Sequence, residues 1–309
     1  ERENTVLGKV KMSKNQVLYL LEDGSHPVSK DVLDHTEREV KFMREYYART
    51  GIHWRGFYGK DGPRPPPVLY MWPADRVGQV HHVNSTQGFW SCSGAPSHCQ
   101  SSEPVQLEIE VISRKPRAFV IPNFLSAHEA EAVIALAKPR IRESTVGNAD
   151  GGGVRTSSTR TSSNTWIGRK SSPITEALYL RAADLLNVHE SLLTPHTNAE
   201  EMQVVHYQIG QKYDAHHDWG VNGYAESRFI TLLLYLNDMK HEQAGGETSF
   251  PKAAGGRGIK VHPGKGSAVL FYNLLEDGNG DDLALHEATA LRDGEKWLSN
   301  FWVWDPKRK

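Results

Sequence analysis

The sequence predicts an α+β fold in which helices pack on one side of an antiparallel double sheet. Three observations lead there. Val105, Leu107, Ile109 and Val111 alternate with Gln106, Glu108 and Glu110, which is the period of a half-buried strand. Two amphipathic stretches with helix-start signals follow. After residue 200 the chain becomes short strand-like runs between Gly- and Asp-rich turns, and helices followed by many strands are the α+β pattern.

Taken in order, residues 29–50 are expected to be helical, with Val32, Leu33, Val40, Phe42 and Met43 among many charges. Gly51 then stands where a left-handed C′ residue would stop the helix. An aromatic piece over 53–58 leads into Pro63-Arg64-Pro65-Pro66-Pro67, an extended polyproline II segment that is either a ligand or a rigid connector. Ser, Gly, Pro and the two cysteines cluster over 91–104, and this break divides an N-terminal region (1–104) from a second domain (105–309). Residues 118–122 continue the strand pattern. Ser126-Ala127-His128-Glu129 is a capping box opening a helix whose stripe is Ala130, Val133, Ile134 and Ala137, stopped by Pro139. Ser172-Pro173 opens another, running through Leu185. Between the helices lies a Gly/Ser/Thr-rich stretch containing Gly151-Gly152-Gly153. Ordering it costs entropy, so it is either a lid or a surface insertion. Further strands are expected over 202–207, 229–236, 267–272 and 297–304.

Composition excludes several function classes. The chain has 309 residues, 38% hydrophobic and 24% charged, the profile of a folded soluble protein of one large or two ordinary domains. A net charge of −1 makes no electrostatic case for nucleic acid as a partner. No apolar run is long enough to span a bilayer. The longest, over 230–236, is interrupted only by Thr231 and suits a buried strand. The chain starts at Glu1 rather than Met, which is compatible with a removed signal or N-terminal anchor. Cys92 and Cys99 have the spacing of a small disulfide loop; a metal site would need more ligands than this pair and His98. With the sequon Asn84-Ser85-Thr86, they point to the secretory pathway, in the endoplasmic reticulum or Golgi lumen.

The chemistry centres on His216 and Asp218, placed at i and i+2 after an apolar run. On a strand that spacing puts both on one face. His286 follows on another strand-like segment, and Lys296 opens the last strand. Two neutral imidazoles and a carboxylate are the facial triad that holds Fe(II) with open positions. A cation such as Lys296 suits the far carboxylate of a 2-oxo acid, and a buried lysine without an anion would be costly.

The stretch Tyr207-Gln208-Ile209-Gly210-Gln211-Lys212-Tyr213-Asp214-Ala215-His216-His217-Asp218 resembles the signature of the prolyl 4-hydroxylases. So do residues 228–238, Gly245-Gly246-Glu247-Thr248-Ser249-Phe250-Pro251, His286, and Gly294-Glu295-Lys296-Trp297. Upstream, Val154-Arg155-Thr156 to Ser163-Asn164-Thr165-Trp166 is similar to the family's substrate loop. The resemblance covers roughly residues 115–305. It implies a double-stranded β-helix (jelly-roll) core and hydroxylation of peptidyl proline at C4. It also implies Fe(II), 2-oxoglutarate, O2 and ascorbate as cofactors and cosubstrates, with a proline-rich peptide or protein as partner. Residue by residue, it implies His216, Asp218 and His286 as iron ligands and Lys296 on the distal carboxylate of 2-oxoglutarate. Tyr213 and Thr248 would lie in the cosubstrate pocket, and Tyr207, Arg160, Arg228 and Trp302 would contact the peptide. Ala215 and His217 stand where the family commonly has Pro and an aromatic, and Glu287 where a small residue is usual. The alternatives are an oxygenase of the same chemistry with another substrate, and a non-catalytic module that binds proline-rich peptide.

Overall fold

The computed structural model describes residues 6–13, 16–21, 28–144, 146–147, 154–155, 159–220, 227–261 and 264–305. The glycine stretch at 151–153, either a lid or a surface insertion by sequence, lies outside the described residues. The chain divides into two compact units, Glu1–Pro65 and Pro66–Lys309.

In the first unit Val6–Ser13, Gln16–Leu21 and Val28–Ser29 form a three-stranded sheet, and Lys30–Thr50 is the expected helix. Gly51 follows it at φ +70°, the left-handed geometry anticipated for its stop. Phe42 and Tyr46 place their ring centroids 5.0 and 5.2 Å from that of Trp54, an aromatic cluster that serves as this unit's core. Val32 and Val40, expected on the apolar stripe, are exposed.

In the second unit a nine-stranded sheet runs in the order Val80–Ser85, Val105–Ser113, Ala118–Ile121, Ala268–Tyr272, Ser227–Tyr235, Lys296–Asp305, Met202–Tyr207, Ser163–Ile167 and Arg142–Glu143. A four-stranded sheet runs Tyr213–His216, His286–Ala288, Thr248–Phe250, Ile259–Val261. The Val80–Ser85 strand pairs along its whole length with Val105–Ser113, and Trp90 and Cys99 join the main core. Residues 66–104 therefore belong with the second unit, and the division falls at Pro65/Pro66 instead of the expected 104. The composition break at 91–104 marks a loop closed by the Cys92–Cys99 disulfide.

Alternation decides how the large sheet is buried. Leu232, Leu234, Leu270 and Phe301 face a core shared with the helices Ala127–Ala137 and Pro173–Leu186. Leu233, Tyr235, Val269 and Phe271 face the other way, against Phe250, Ile259 and Val261 of the small sheet. Strands covered on both faces lose their polar side, so Ser227–Tyr235 is almost wholly buried. Both helices begin with capping boxes, at Ser126 with Glu129 and at Ser172 with Thr175. Glu129 serves three times: it caps its helix, accepts from Trp90 N at 3.1 Å, and accepts from Arg181 at 2.8 and 2.9 Å, with the Glu129 and Arg181 side chains wholly buried. No described helix is long and apolar enough to cross a membrane.

Candidate metal centre

His216 and His286 lie side by side as paired residues of neighbouring strands in the small sheet. Their ring centroids are 4.3 Å apart. Each ring is oriented in the same way: Nδ1 meets a backbone carbonyl two residues upstream, Asp214 O at 2.8 Å and Ala284 O at 3.0 Å. That contact fixes the tautomer and turns both Nε2 atoms toward Asp218. His216 Nε2 is 3.8 Å and His286 Nε2 is 3.7 Å from the Asp218 carboxylate, and all three ligand atoms fall within 4.8 Å of one another.

Asp218 arrives by a different route from the one its spacing suggested. The strand ends at His216, so the i, i+2 rule for strands does not place the carboxylate. Tertiary hydrogen bonds do. Asp218 Oδ2 accepts from Thr231 Oγ1 at 2.7 Å and from Trp302 Nε1 at 2.9 Å. Thr231 in turn accepts from Asn273 Nδ2 at 2.8 Å. His217 is directed elsewhere: its ring lies 4.6 Å from that of Trp219 and its Nε2 is 3.7 Å from Asp282.

Electrostatics hold His216 and Asp218 in their ligating forms. Burial, reinforced by His286, pushes the His216 imidazole down to about 3, so it is neutral at physiological pH. Burial alone would raise the Asp218 carboxyl, but His286, Arg228, His216 and the Thr231 hydrogen bond hold it well below the usual carboxylate range. Two imidazoles and one carboxylate match Fe(II) in donor type and number.

Lys296 opens the long strand Lys296–Asp305 and is 1% exposed. Its Nζ donates to Gly246 O at 2.6 Å and lies 5.4 Å from the Tyr207 ring centre and 5.8 Å from that of Tyr235. Burial pushes this ammonium down to about 7, with Glu247 pulling the other way. Glycine is needed at the turn that meets it. Gly245 and Gly246 have φ of +74° and +73°, and a Cβ on Gly245 would sit 2.2 Å from Ala290 O.

Tyr213 and Thr248 flank Ala288 as its register partners on the two sides. Tyr213 stacks on His216 with centroids 3.7 Å apart, and Thr248 Oγ1 accepts from Tyr235 OH at 2.8 Å. Of the expected peptide contacts, Tyr207 is buried beneath Lys296 and Arg160 lies 4.8 Å over the Tyr213 ring. Arg228 binds Glu200 through Nε and Nη2 at 2.6 and 3.0 Å while stacking 3.8 Å over Trp302. Trp302 holds Asp218 directly. Sequence reading missed Thr231, Asn273, Tyr235 and Glu200. For Thr231 a signal existed: it is the one aliphatic hydroxyl inside the apolar run at 230–236.

Residues 202–304, which carry the whole triad and Lys296, match the model of the 2OG-Fe(II) oxygenase superfamily. Prolyl 4-hydroxylase 5 of Arabidopsis thaliana is 37% identical over 213 residues, covering 63% of this chain and 70% of that protein. The chain belongs to the prolyl 4-hydroxylase family. Prolyl 4-hydroxylase 2 of the same plant is 36% identical over 232 residues, covering 67% of this chain and 75% of that protein. The viral collagen prolyl hydroxylase of Paramecium Bursaria Chlorella virus-1, solved with 2OG, aligns at a TM-score of 0.47 and 25% identity, over 60% of this chain and 95% of that one. Membership in a 2OG-Fe(II) oxygenase family implies Fe(II), 2-oxoglutarate and O2.

Proposed function

We propose that this protein hydroxylates peptidyl proline at C4 with Fe(II), O2 and 2-oxoglutarate, releasing succinate and CO2. The observation that carries the reading is the pairing of His216, Asp218 and His286 with a buried cation, Lys296, in one family-matched unit. Iron bound by the triad, with 2-oxoglutarate as the reductant of O2, supplies the oxidising power that exchanges a C4 hydrogen for hydroxyl. The chain's own residues supply placement. His216 and His286 present Nε2 because their Nδ1 atoms are held by backbone carbonyls. Thr231 and Trp302 fix the Asp218 carboxylate. Lys296 takes the distal carboxylate of 2-oxoglutarate, its charge restored by that anion. Tyr213, Thr248 and Tyr235 shape the pocket, and the buried Tyr207 ring lies beneath the lysine. Arg160 and the Arg228–Trp302 stack face the peptide, whose polyproline II ridge suits aromatic walls.

The two facing sheets are read as a double-stranded β-helix with helices on its outer face. The Cys92–Cys99 disulfide supports a lumenal location in the endoplasmic reticulum or Golgi, and ascorbate is assigned as the reductant that keeps iron active. The deciding experiment incubates the full chain with Fe(II), 2-oxoglutarate, ascorbate and a panel of proline-rich peptides. The expected result is one added oxygen on proline, matched by succinate. Succinate without proline oxidation on any peptide would assign another substrate. Peptide binding with neither product would assign a non-catalytic module.

A further inference from the structure

We propose that Asn84 is an N-glycosylation site and that its oligosaccharide shields the outer edge of the nine-stranded sheet. The inference rests on the lumenal reading above. Asn84-Ser85-Thr86 is the one Asn-x-Ser/Thr sequence in the chain, and the fold presents it for modification.

Asn84 lies in Val80–Ser85, the terminal strand of the sheet among the described residues. Burial alternates along that strand. His81, Val83 and Ser85 turn inward, whereas Val80, His82 and Asn84 are exposed. The paired strand presents Gln106, Glu108 and Glu110 on the same solvent face, with Asn84 opposite Gln106. Apart from Val80 that face is polar, so a sugar standing on it buries nothing the core needs. Among the described residues no hydrogen bond engages the Asn84 amide.

The two residues that follow are pinned. Asp184, on the helix Pro173–Leu186, accepts from Ser85 Oγ and Thr86 N, each at 2.8 Å, and from Thr86 Oγ1 at 3.1 Å. This clamp holds Asn84 outward. It also ties up the Thr86 hydroxyl that glycan transfer requires, so transfer precedes docking of the helix, which is made later in the chain. In that transfer the bond formed joins Asn84 Nδ2 to the anomeric carbon of an oligosaccharide. The bond broken joins that carbon to a lipid pyrophosphate, which leaves with the electron pair, and the amide gives up one proton.

A terminal strand presents unpaired backbone groups that invite edge-to-edge association, and a bulky hydrophilic group there blocks it. The catalytic residues stay clear. Lys296 begins a strand five places along the sheet, which at the spacing of paired strands is roughly 24 Å away.

The test delivers the full chain into the lumen of microsomes and reads the Asn84 peptide by mass spectrometry. The expected result is a single oligosaccharide removable by an N-glycosidase. It should be absent in Asn84→Gln and retained in Thr86→Ser, which keeps both the sequon and a hydroxyl for Asp184. Asn84→Gln should leave proline hydroxylation unchanged while raising light scattering on storage. A bare Asn84 in lumen-delivered chain whose cysteines have oxidised overturns the proposal and leaves the location reading standing. An occupied Asn84 whose removal changes no scattering overturns the shielding role. Location is read separately, by fractionating the native protein.

Discussion

The two charged ends of the site are built in opposite ways. Around Asp218 the protein supplies a full set of partners: Thr231 and Trp302 on one oxygen, Asn273 behind Thr231, and Arg228 held nearby by Glu200. Around Lys296 it supplies a backbone carbonyl and two phenol rings, with Glu247 as the charged neighbour. The carboxylate is thus pre-organised in its charged form, whereas burial works against the ammonium. A preformed donor set suits a metal ion that must be held in one geometry. A cation short of solvation suits an anion that enters and leaves on each cycle.

The largest effect should come from removing a ligand itself. His286→Ala is expected to abolish proline hydroxylation while leaving peptide binding measurable by fluorescence titration; full turnover in this variant would sink the iron assignment. Next is the cation: Lys296→Ala should raise the 2-oxoglutarate requirement on the order of a hundredfold or more, the scale of breaking a buried ion pair. An unchanged requirement would remove Lys296 from the cosubstrate site. A smaller effect is expected behind the carboxylate. Thr231→Val should weaken Mn(II) or Co(II) binding roughly 10–100-fold, whereas Thr231→Ser retains it. Equal binding by both variants would show that packing, not the hydroxyl, is what matters there.

The pH dependence sharpens the same contrast. Lys296 has a folded pKa near 7 against an ordinary 10.5, so between those values the unfolded chain carries a proton that the folded chain has lost. Stability of the cosubstrate-free protein should therefore rise with pH across that window and level off outside it. Below it both states are protonated, and folding bears the full cost of burying the charge. With 2-oxoglutarate on the protonated amine, as proposed, its affinity should fall as pH climbs above about 7. Lys296→Met should flatten both slopes in denaturation and cosubstrate titrations; slopes that persist would point to a different titrating group.

Much of this was readable along the chain because it is local. The capping box at Ser126, the helix start at Ser172-Pro173, the alternation at 105–111 and the Gly51 stop each depend on neighbours a few residues away, and the structure keeps all four. His216, Asp218, His286 and Lys296 stood out for another reason: few residue types suit the chemistry proposed for them, and their order along the chain was informative; the structure brings the first three within 4.8 Å of one another and buries the fourth. The unit boundary was not legible. Composition over 91–104 looks like a linker, yet Val80–Ser85 is held to the sheet by pairing that only the folded chain reveals.

By itself the sequence determined which residues could hold a metal and a dicarboxylate, because imidazole, carboxylate and ammonium have no substitutes in those roles. Only the tertiary structure decided how they are aimed. Asp218 lies beyond the end of its strand and takes its direction from Thr231 and Trp302, 13 and 84 residues away. Arg228 and Trp302 resemble peptide contacts in sequence; only the folded chain adds that one is paired to Glu200 and the other bonded to Asp218. Side-chain type is written in the sequence, whereas hydrogen-bond direction comes from strands brought together across the whole chain.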